Sequence, residues 1–271
     1  PDLFNAIEAL SRLSYSPKLY IILTVPIITY QIHFGINMMS NKIVDGKPLV
    51  WIGVFAHPDD ETTSSSGTMM KWVKKNNEAY IITGTRGEEG TLGTGDLKIK
   101  REDLGKVREE ELRHNLDLYG VNPQYIFNYR DQDLDKEIPE TLAKKILTIL
   151  KETTPDVIIT FGPTGISNHP DHIAIHKSAL IAYKYYKSET DRNPLLIYPA
   201  IAEERAKDYG LELSEDEKRL DIVVDIEDTF ETKIQGLKNY KSQEDAQQLA
   251  KRFTEHNFIY ESFSISPINE L

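Results

Sequence analysis

The sequence contains no cysteine. That excludes disulfides, thiolate metal sites and a cysteine nucleophile, so any metal bound by this chain is held by histidine and carboxylate groups. It also lacks an Asn-x-Ser/Thr acceptor, and both absences suit a cytoplasmic protein. No block rich in lysine or arginine occurs. The 32 basic residues face 43 acidic ones, for a net charge of −11. This is the wrong sign for a nucleic-acid binder, which needs a basic face to neutralise phosphates, although a local basic pocket for an anionic substrate is compatible with it. Internal repeats, low-complexity tracts and clean linkers are absent. The 271 residues, 39% hydrophobic and 28% charged, fit one large folded domain rather than a disordered chain.

An apolar stretch at residues 19–36 falls short of the ~20 residues that span a bilayer. It is interrupted by Pro26 and carries Gln31 and His33. Its second half alternates, with Ile28, Tyr30, Ile32 and Phe34 separated by polar residues, which is the period of a half-buried strand. Residues 1–45 therefore read as an apolar extension, either a packed or subunit-interface arm or a membrane-associated segment. Residues 46–271 read as a single catalytic domain. Membrane contact through residues 19–36 and self-association into a homo-oligomer are both compatible with the sequence.

From residue 48 apolar strand runs alternate with helical patterns. Strands are expected at 48–56, 79–84, 125–129 and 156–161, with helices at 61–75, 100–120, 138–153 and 172–187. This alternation predicts an α/β fold: a doubly wound, mostly parallel, Rossmann-like sheet with helices on both faces. After residue 194 the short runs LLIYP, DIVVDI and YESFSI predict an antiparallel C-terminal extension. Ligands of such sheets bind beyond the carboxyl ends of the strands. The loops that fall there are 57–61, 84–98, 130–136 and 162–172.

Two of those loops share the tripeptide His-Pro-Asp, in AHPDDE (56–61) and NHPDH (168–172). Proline fixes the local backbone and the direction of its polar neighbours. A catalytic zinc site uses three N or O ligands and keeps one position open. His57 and Asp60 lie three residues apart and can point the same way, and His172, at a helix start, is placed to be the third ligand. Asp59 is then a carboxylate beside the metal, suited to act as general base. His169, as an imidazolium, could stabilise an oxyanion or protonate a leaving amine, with Asp171 a candidate to orient it and raise its pKa. The reaction this set suits is metal-assisted amide hydrolysis.

AHPDDE after a first strand and HPDH after a later one, with TRGEEG (85–90), REEEL (108–112) and YRD (129–131) between, resemble the zinc-dependent de-N-acetylases, the LmbE/PIG-L-like enzymes. The resemblance covers residues 49–180. It implies one catalytic Zn2+ held by His57, Asp60 and His172, Asp59 as base, and His169 as electrostatic or acid partner. It further implies that Arg108 and Asp131 bind the sugar-linked part of a small amino-sugar substrate of N-acetylglucosamine type. The chain departs from some relatives at Ser167, where they carry tyrosine, and at Thr91, where they carry an acid.

Blander roles stand beside these. Asp60 or Glu61 could simply complement a helix start, His176 could pack, and Arg86, Glu88 and Glu89 could pair within their own loop. His33, His114 and His256 have no partner motif. Arg108 sits in a helix so dense in charge that, without the resemblance, it reads as an exposed ion pair. GTLGTG (90–95) lacks the Gly-Lys-Ser/Thr of a phosphate loop. Two rival functions are a metal-dependent phosphoesterase and a non-catalytic carbohydrate-binding protein.

Overall fold

The structure, a computed structural model, describes residues 47–267. The apolar extension at residues 1–45, including the stretch 19–36, lies outside the described residues. No helix among the described residues is long and apolar enough to cross a membrane.

The chain runs β1 (Val50–Phe55), α1 (Asp60–Val73), β2 (Glu78–Thr85), α2 (Arg101–Tyr119), β3 (Tyr125–Tyr129), α3 (Pro139–Thr153), β4 (Val157–Thr160), α4 (Pro170–Thr190) and β5 (Leu195–Pro199). There follow α5 (Glu203–Asp208), α6 (Glu215–Lys218), β6 (Ile222–Asp225), α7 (Glu227–Asn239), α8 (Glu244–Glu255) and β7 (Tyr260–Ile265). The seven strands form one sheet in the order β3-β2-β1-β4-β5-β7-β6. The first five are parallel, while β7 is antiparallel to both β5 and β6.

β1 is apolar along its whole length because it is covered on both faces, and every one of its residues is buried. It pairs with β2 on one side and β4 on the other, with Val54 opposite both Ile82 and Thr160. Strand order therefore reverses at β1. With right-handed crossovers, that reversal sends the helices to opposite faces. α1 and α2 pack with the later α7, against which α8 packs in turn, and α3 packs with α4. The reversal also opens a crevice at the carboxyl ends of β1 and β4, the strands that carry the two His-Pro-Asp motifs.

Two expectations need correction. LLIYP is antiparallel only towards β7: on its other side β5 pairs with β4 in parallel register, Ile158 opposite Leu196, because α4 supplies the crossover. The antiparallel part begins only with β7. Second, α4 starts at Pro170, not at residue 172. Proline at the first helical position has no N–H to leave unpaired, and His169 caps the helix by accepting the Asp171 N–H at Nδ1 (3.2 Å).

The C-terminal elements brace α1, which leaves the first motif. Lys233 of α7, 2% exposed, donates to Glu261 (2.6 Å) and to the Thr63 carbonyl (2.8 Å). The Glu261 carboxylate accepts the Gly67 and Thr68 N–H groups of α1 at 3.0 and 2.7 Å. Both members of this buried pair have further hydrogen-bond partners, the condition under which a buried ion pair is tolerated.

Candidate metal centre

The turn after β1 is set by Asp60, whose Oδ2 accepts the Ala56 and His57 N–H groups at 3.1 and 2.8 Å. Asp59 adopts φ 105° and ψ −24°, a left-handed conformation costly for a residue with a Cβ. Two groups hold it there. Glu61, fully buried, accepts the Asp59 N–H at 3.0 Å, while Thr62 and Tyr240 donate to its carboxylate. Arg108 donates to Asp59 Oδ2 at 2.9 Å. Burial pushes the Asp59 carboxyl above its ordinary range, against the pull of the Arg108 charge.

His57 lies at the centre. Its Nε2 faces Asp131 Oδ1 at 3.0 Å and Asp171 Oδ2 at 3.2 Å, so Nε2 carries the proton. Its Nδ1 faces His172 Nε2 at 3.2 Å. The His172 ring lies flat against Phe161 (centroids 4.0 Å apart) and offers Nδ1 to the Gly165 carbonyl at 3.0 Å and to Ser167 Oγ at 3.2 Å. A carbonyl only accepts, so the His172 proton is on Nδ1. Two imidazole lone pairs thus face each other, and Asp60 Oδ1 stands 3.4 Å from the His172 nitrogen. Three such donors repel one another unless a cation lies among them. Ligand atoms bound tetrahedrally at ~2.0–2.1 Å are about 3.3 Å apart, close to the 3.2 and 3.4 Å separations here, whereas the Asp60 carboxylate meets His57 Nδ1 through Oδ2 at 3.7 Å.

Without a metal, a proton takes the cation's role. Burial opposes a charged His57, but Asp131, Asp171 and Asp60 outweigh it and push its pKa up to about 10. Asp131 is correspondingly held below the carboxylate range: burial works against this, and the His57 charge prevails. Burial lowers both His172 and His169, and the His57 charge lowers them further.

Two further donor sets exist. One atom each from His57, Asp131 and Asp171 lie within 4.8 Å of one another, as do the ring nitrogens of His57, His169 and His172. The carboxylates of the former set are already engaged. Asp171 accepts the Gln132 and Leu134 N–H groups at 2.7 and 3.1 Å, and Asp131 accepts that of Glu89 at 3.0 Å. They are placed to hold the Nε2 proton of His57, the arrangement in which a carboxylate orients a metal-binding histidine through its other nitrogen.

The expected residues are therefore brought together, with four differences from the expectation. Asp171 was expected to orient His169. Its carboxylate sits instead on His57, because as the second residue of α4 it turns under the helix start, and only its backbone touches His169. Asp131 was expected at the substrate. It is 4% exposed and turned inward to His57. Arg108, expected to bind the sugar-linked part of the substrate, is 4% exposed and bonded to the Asp59 turn, so it is not the exposed ion pair of the blander reading. His169 accepts at Nδ1, which leaves Nε2–H as its donor and makes it a neutral hydrogen-bond donor rather than the expected imidazolium.

His176 packs, with Nδ1 against the Phe161 carbonyl (2.8 Å) and its ring on Tyr198. His114 and His256 are exposed, and His33 lies outside the described residues. Arg86 pairs with Glu109 rather than within its loop, while Glu88 accepts the Asp131 N–H at 3.1 Å. Thr91 ties the glycine-rich loop to the start of α8, donating to the Ser242 carbonyl and accepting the Glu244 N–H.

Two supporting residues escaped the sequence reading: Tyr240, which donates to Glu61, and Glu217. Glu217 of α6 is fully buried and accepts from Thr164 N and Oγ and from Ile166 N. It thereby shapes the loop whose Gly165 carbonyl fixes the His172 tautomer. Its only sequence signal is a capping box with Ser214, which points to a helix start and not to a site.

The chain is similar to several known proteins. The family model PIG-L, GlcNAc-PI de-N-acetylase, matches residues 52–183. A 1D-myo-inositol 2-acetamido-2-deoxy-alpha-D-glucopyranoside deacetylase of Mycobacterium sp. (strain KMS) is 28% identical over 225 residues, covering 70% of this chain and 72% of that one. A probable N-acetyl-alpha-D-glucosaminyl L-malate deacetylase 2 of Bacillus subtilis (strain 168) is 30% identical over 190 residues, covering 70% of this chain and 81% of that one. The fold is that of N,N'-diacetylchitobiose deacetylase from Pyrococcus horikoshii, with a TM-score of 0.65 at 20% identity over 91% of this chain and 94% of that one.

Proposed function

The chain belongs to the PIG-L family of de-N-acetylases, and from that membership we propose that it removes an N-acetyl group from an N-acetylglucosamine-type amino sugar or its conjugate. The observation that carries the reading is the convergence of His57 Nδ1, His172 Nε2 and Asp60 Oδ1 beside Asp59 on one turn. Two imidazoles and one carboxylate are a donor set suited to catalytic zinc. A zinc ion held by these residues would supply Lewis-acid polarisation of the amide carbonyl and a water of lowered pKa.

The remaining steps belong to the protein. Asp59 takes a proton from the attacking water through Oδ1, since Oδ2 is bonded to Arg108. His169 donates Nε2–H to the amide oxygen as negative charge develops there. The raised Asp59 pKa suits it to keep that proton and pass it to the nitrogen as the C–N bond breaks, giving acetate and a free amine. The relatives' names supply the substrate class: both are deacetylases of glucosamine conjugates.

The test is amine release from a panel of N-acetylglucosamine derivatives by chelator-treated protein, before and after zinc is restored. Phosphate release from phosphoesters is measured in parallel. Zinc-dependent amine release without phosphate release is expected. Phosphate release alone would replace this reading with the phosphoesterase, and sugar binding without turnover would replace it with the carbohydrate-binding protein.

A further inference from the structure

We infer that Tyr240, which closes α7, is a positioning residue of the hydrolytic site: acting through Glu61, it keeps the Asp59 carboxylate from capping its own helix and so available to the attacking water. This rests on Asp59 acting as the base.

An aspartate immediately before a helix ordinarily uses its carboxylate to accept the free N–H groups of the first turn. Asp59 is the N-cap of α1, yet its side chain makes no such bond. Its backbone lies in the left-handed region, at φ 105°, and the bond from its own N–H to Glu61 Oε2, 3.0 Å long, holds it there. Glu61 thus reaches back to the backbone of the cap residue, as the glutamate of a capping box does. The reciprocal half, in which the cap side chain bonds the helix, is missing.

Glu61 can do this only if its carboxylate is itself fixed, and part of what fixes it is remote in sequence. Tyr240, 179 positions further on, donates to Oε1 at 2.7 Å, and Thr62 donates to the same oxygen. A carboxylate only accepts, so the single Thr62 proton is committed to Glu61, and Tyr119 is the donor in its bond to Thr62 Oγ1 (2.8 Å). Glu61, Thr62 and Tyr240 are fully buried and Tyr119 is 4% exposed. The network is closed to solvent.

The seam between α2 and α7 is built around these hydroxyls. A Cβ on Gly236 would lie 1.7 Å from the Tyr119 oxygen, so the phenol passes directly over the α7 backbone. Asn115 donates to the Gly236 carbonyl at 2.9 Å and accepts from Asn239 at 2.8 Å, which pins the last turn of α7 beside Tyr240. A glutamate that merely complements a helix start acts through its charge and needs none of these partners. Here a chain of bonds runs from α7 to the backbone of the base.

The experiment measures kcat and KM for an N-acetylglucosamine derivative in Tyr240→Phe, Glu61→Met and the double variant, with bound zinc quantified in each. Phenylalanine keeps the packing and removes only the hydroxyl. Misplacing a base by about 1 Å costs on the order of 100-fold. Tyr240→Phe removes one of the two donors to Oε1, so kcat should fall about 3- to 30-fold, with zinc content equal to wild type and KM within about twofold. Because Tyr240 acts through Glu61, adding Tyr240→Phe to Glu61→Met should change kcat by less than about twofold, the non-additivity of residues on one path. Should Glu61→Met not fold, Glu61→Gln replaces it, since its one accepting oxygen cannot serve both Asp59 and Tyr240. An unchanged kcat in Tyr240→Phe, or a second full fall in the double variant, would overturn the inference, as would zinc lost in step with activity. Wild type that releases no amine overturns the hydrolase reading itself, a failure visible before any variant is compared.

Discussion

Replacing Asp171 with asparagine separates the arrangement found here from the one expected of the motif. The carboxylate is fully buried and holds three donors: His57 Nε2–H at 3.2 Å, Gln132 N–H at 2.7 Å and Leu134 N–H at 3.1 Å. Asparagine has the same outline but only one accepting oxygen. Its NH2 group must face at least one of these donors, leaving a buried N–H unpaired at a cost of about 1–3 kcal/mol. In a chain of this size that lowers the melting temperature of the metal-free protein by roughly 2–10 °C. His57 also loses one of its two carboxylate partners. Loss of such a partner weakens metal binding about 10- to 100-fold, or about 1.4–2.7 kcal/mol. The assay is zinc affinity by competition with a chromophoric chelator, with thermal unfolding of both forms. If Asp171 instead oriented His169, zinc affinity would stay at the wild-type value and only turnover would fall. That result would refute the assignment of Asp171 to His57.

Other consequences follow from the same contacts. Metal-free His57, with its pKa pushed up to about 10, is protonated at pH 7, so zinc loading should release about one proton from it. Titration calorimetry in buffers of different ionisation enthalpy measures this, and zero release would contradict it. The sign for stability is that of a raised group. The His57 contribution to the metal-free fold is complete below its ordinary pKa of about 6.5 and is lost as pH rises through about 10, which chemical denaturation at pH 6 and pH 10 would reveal. Glu217→Ala leaves the Thr164 and Ile166 N–H groups without their acceptor. It should cost about 2–4 kcal/mol and weaken zinc binding through the His172 loop, whereas a wild-type zinc affinity would detach Glu217 from the site. Lys233→Ala strands the buried Glu261 charge, a change worth about 3–5 kcal/mol. A denaturation midpoint that does not move would count against that pair bracing α1.

The parallel sheet and the two motifs were legible because both are local. A buried strand shows as a continuous apolar run, and His-Pro-Asp concentrates ligands within one turn. The roles of Arg108, Asp131 and Asp171 were not legible, since each depends on what a side chain meets after folding. Arg108 sits among Glu109, Glu110 and Lys106 in sequence, a pattern that reads as a solvated helix face. Its burial is created by the loop after β2 closing over it. Asp171 is two residues from His169, so sequence proximity favoured that pairing, but a helix start turns its second side chain away from the cap. Glu217 and Tyr240 support the site across long sequence separations, as Tyr240 does in donating to Glu61, and no spacing rule registers such contacts. β5 was misassigned for a related reason: a short apolar strand looks the same in parallel and antiparallel pairing, and only the crossover through α4 decides it.

The most direct test of the account is amine release from an N-acetylglucosamine derivative by wild type and by Asp59→Asn, each with its bound zinc quantified. The asparagine side chain keeps the volume of the aspartate but cannot take a proton. The account predicts equal zinc in the two proteins and a fall in kcat of about 100-fold or more in the variant, the size of a lost general base. Equal zinc with unchanged kcat would show that Asp59 is not the base and would contradict the mechanism at its centre.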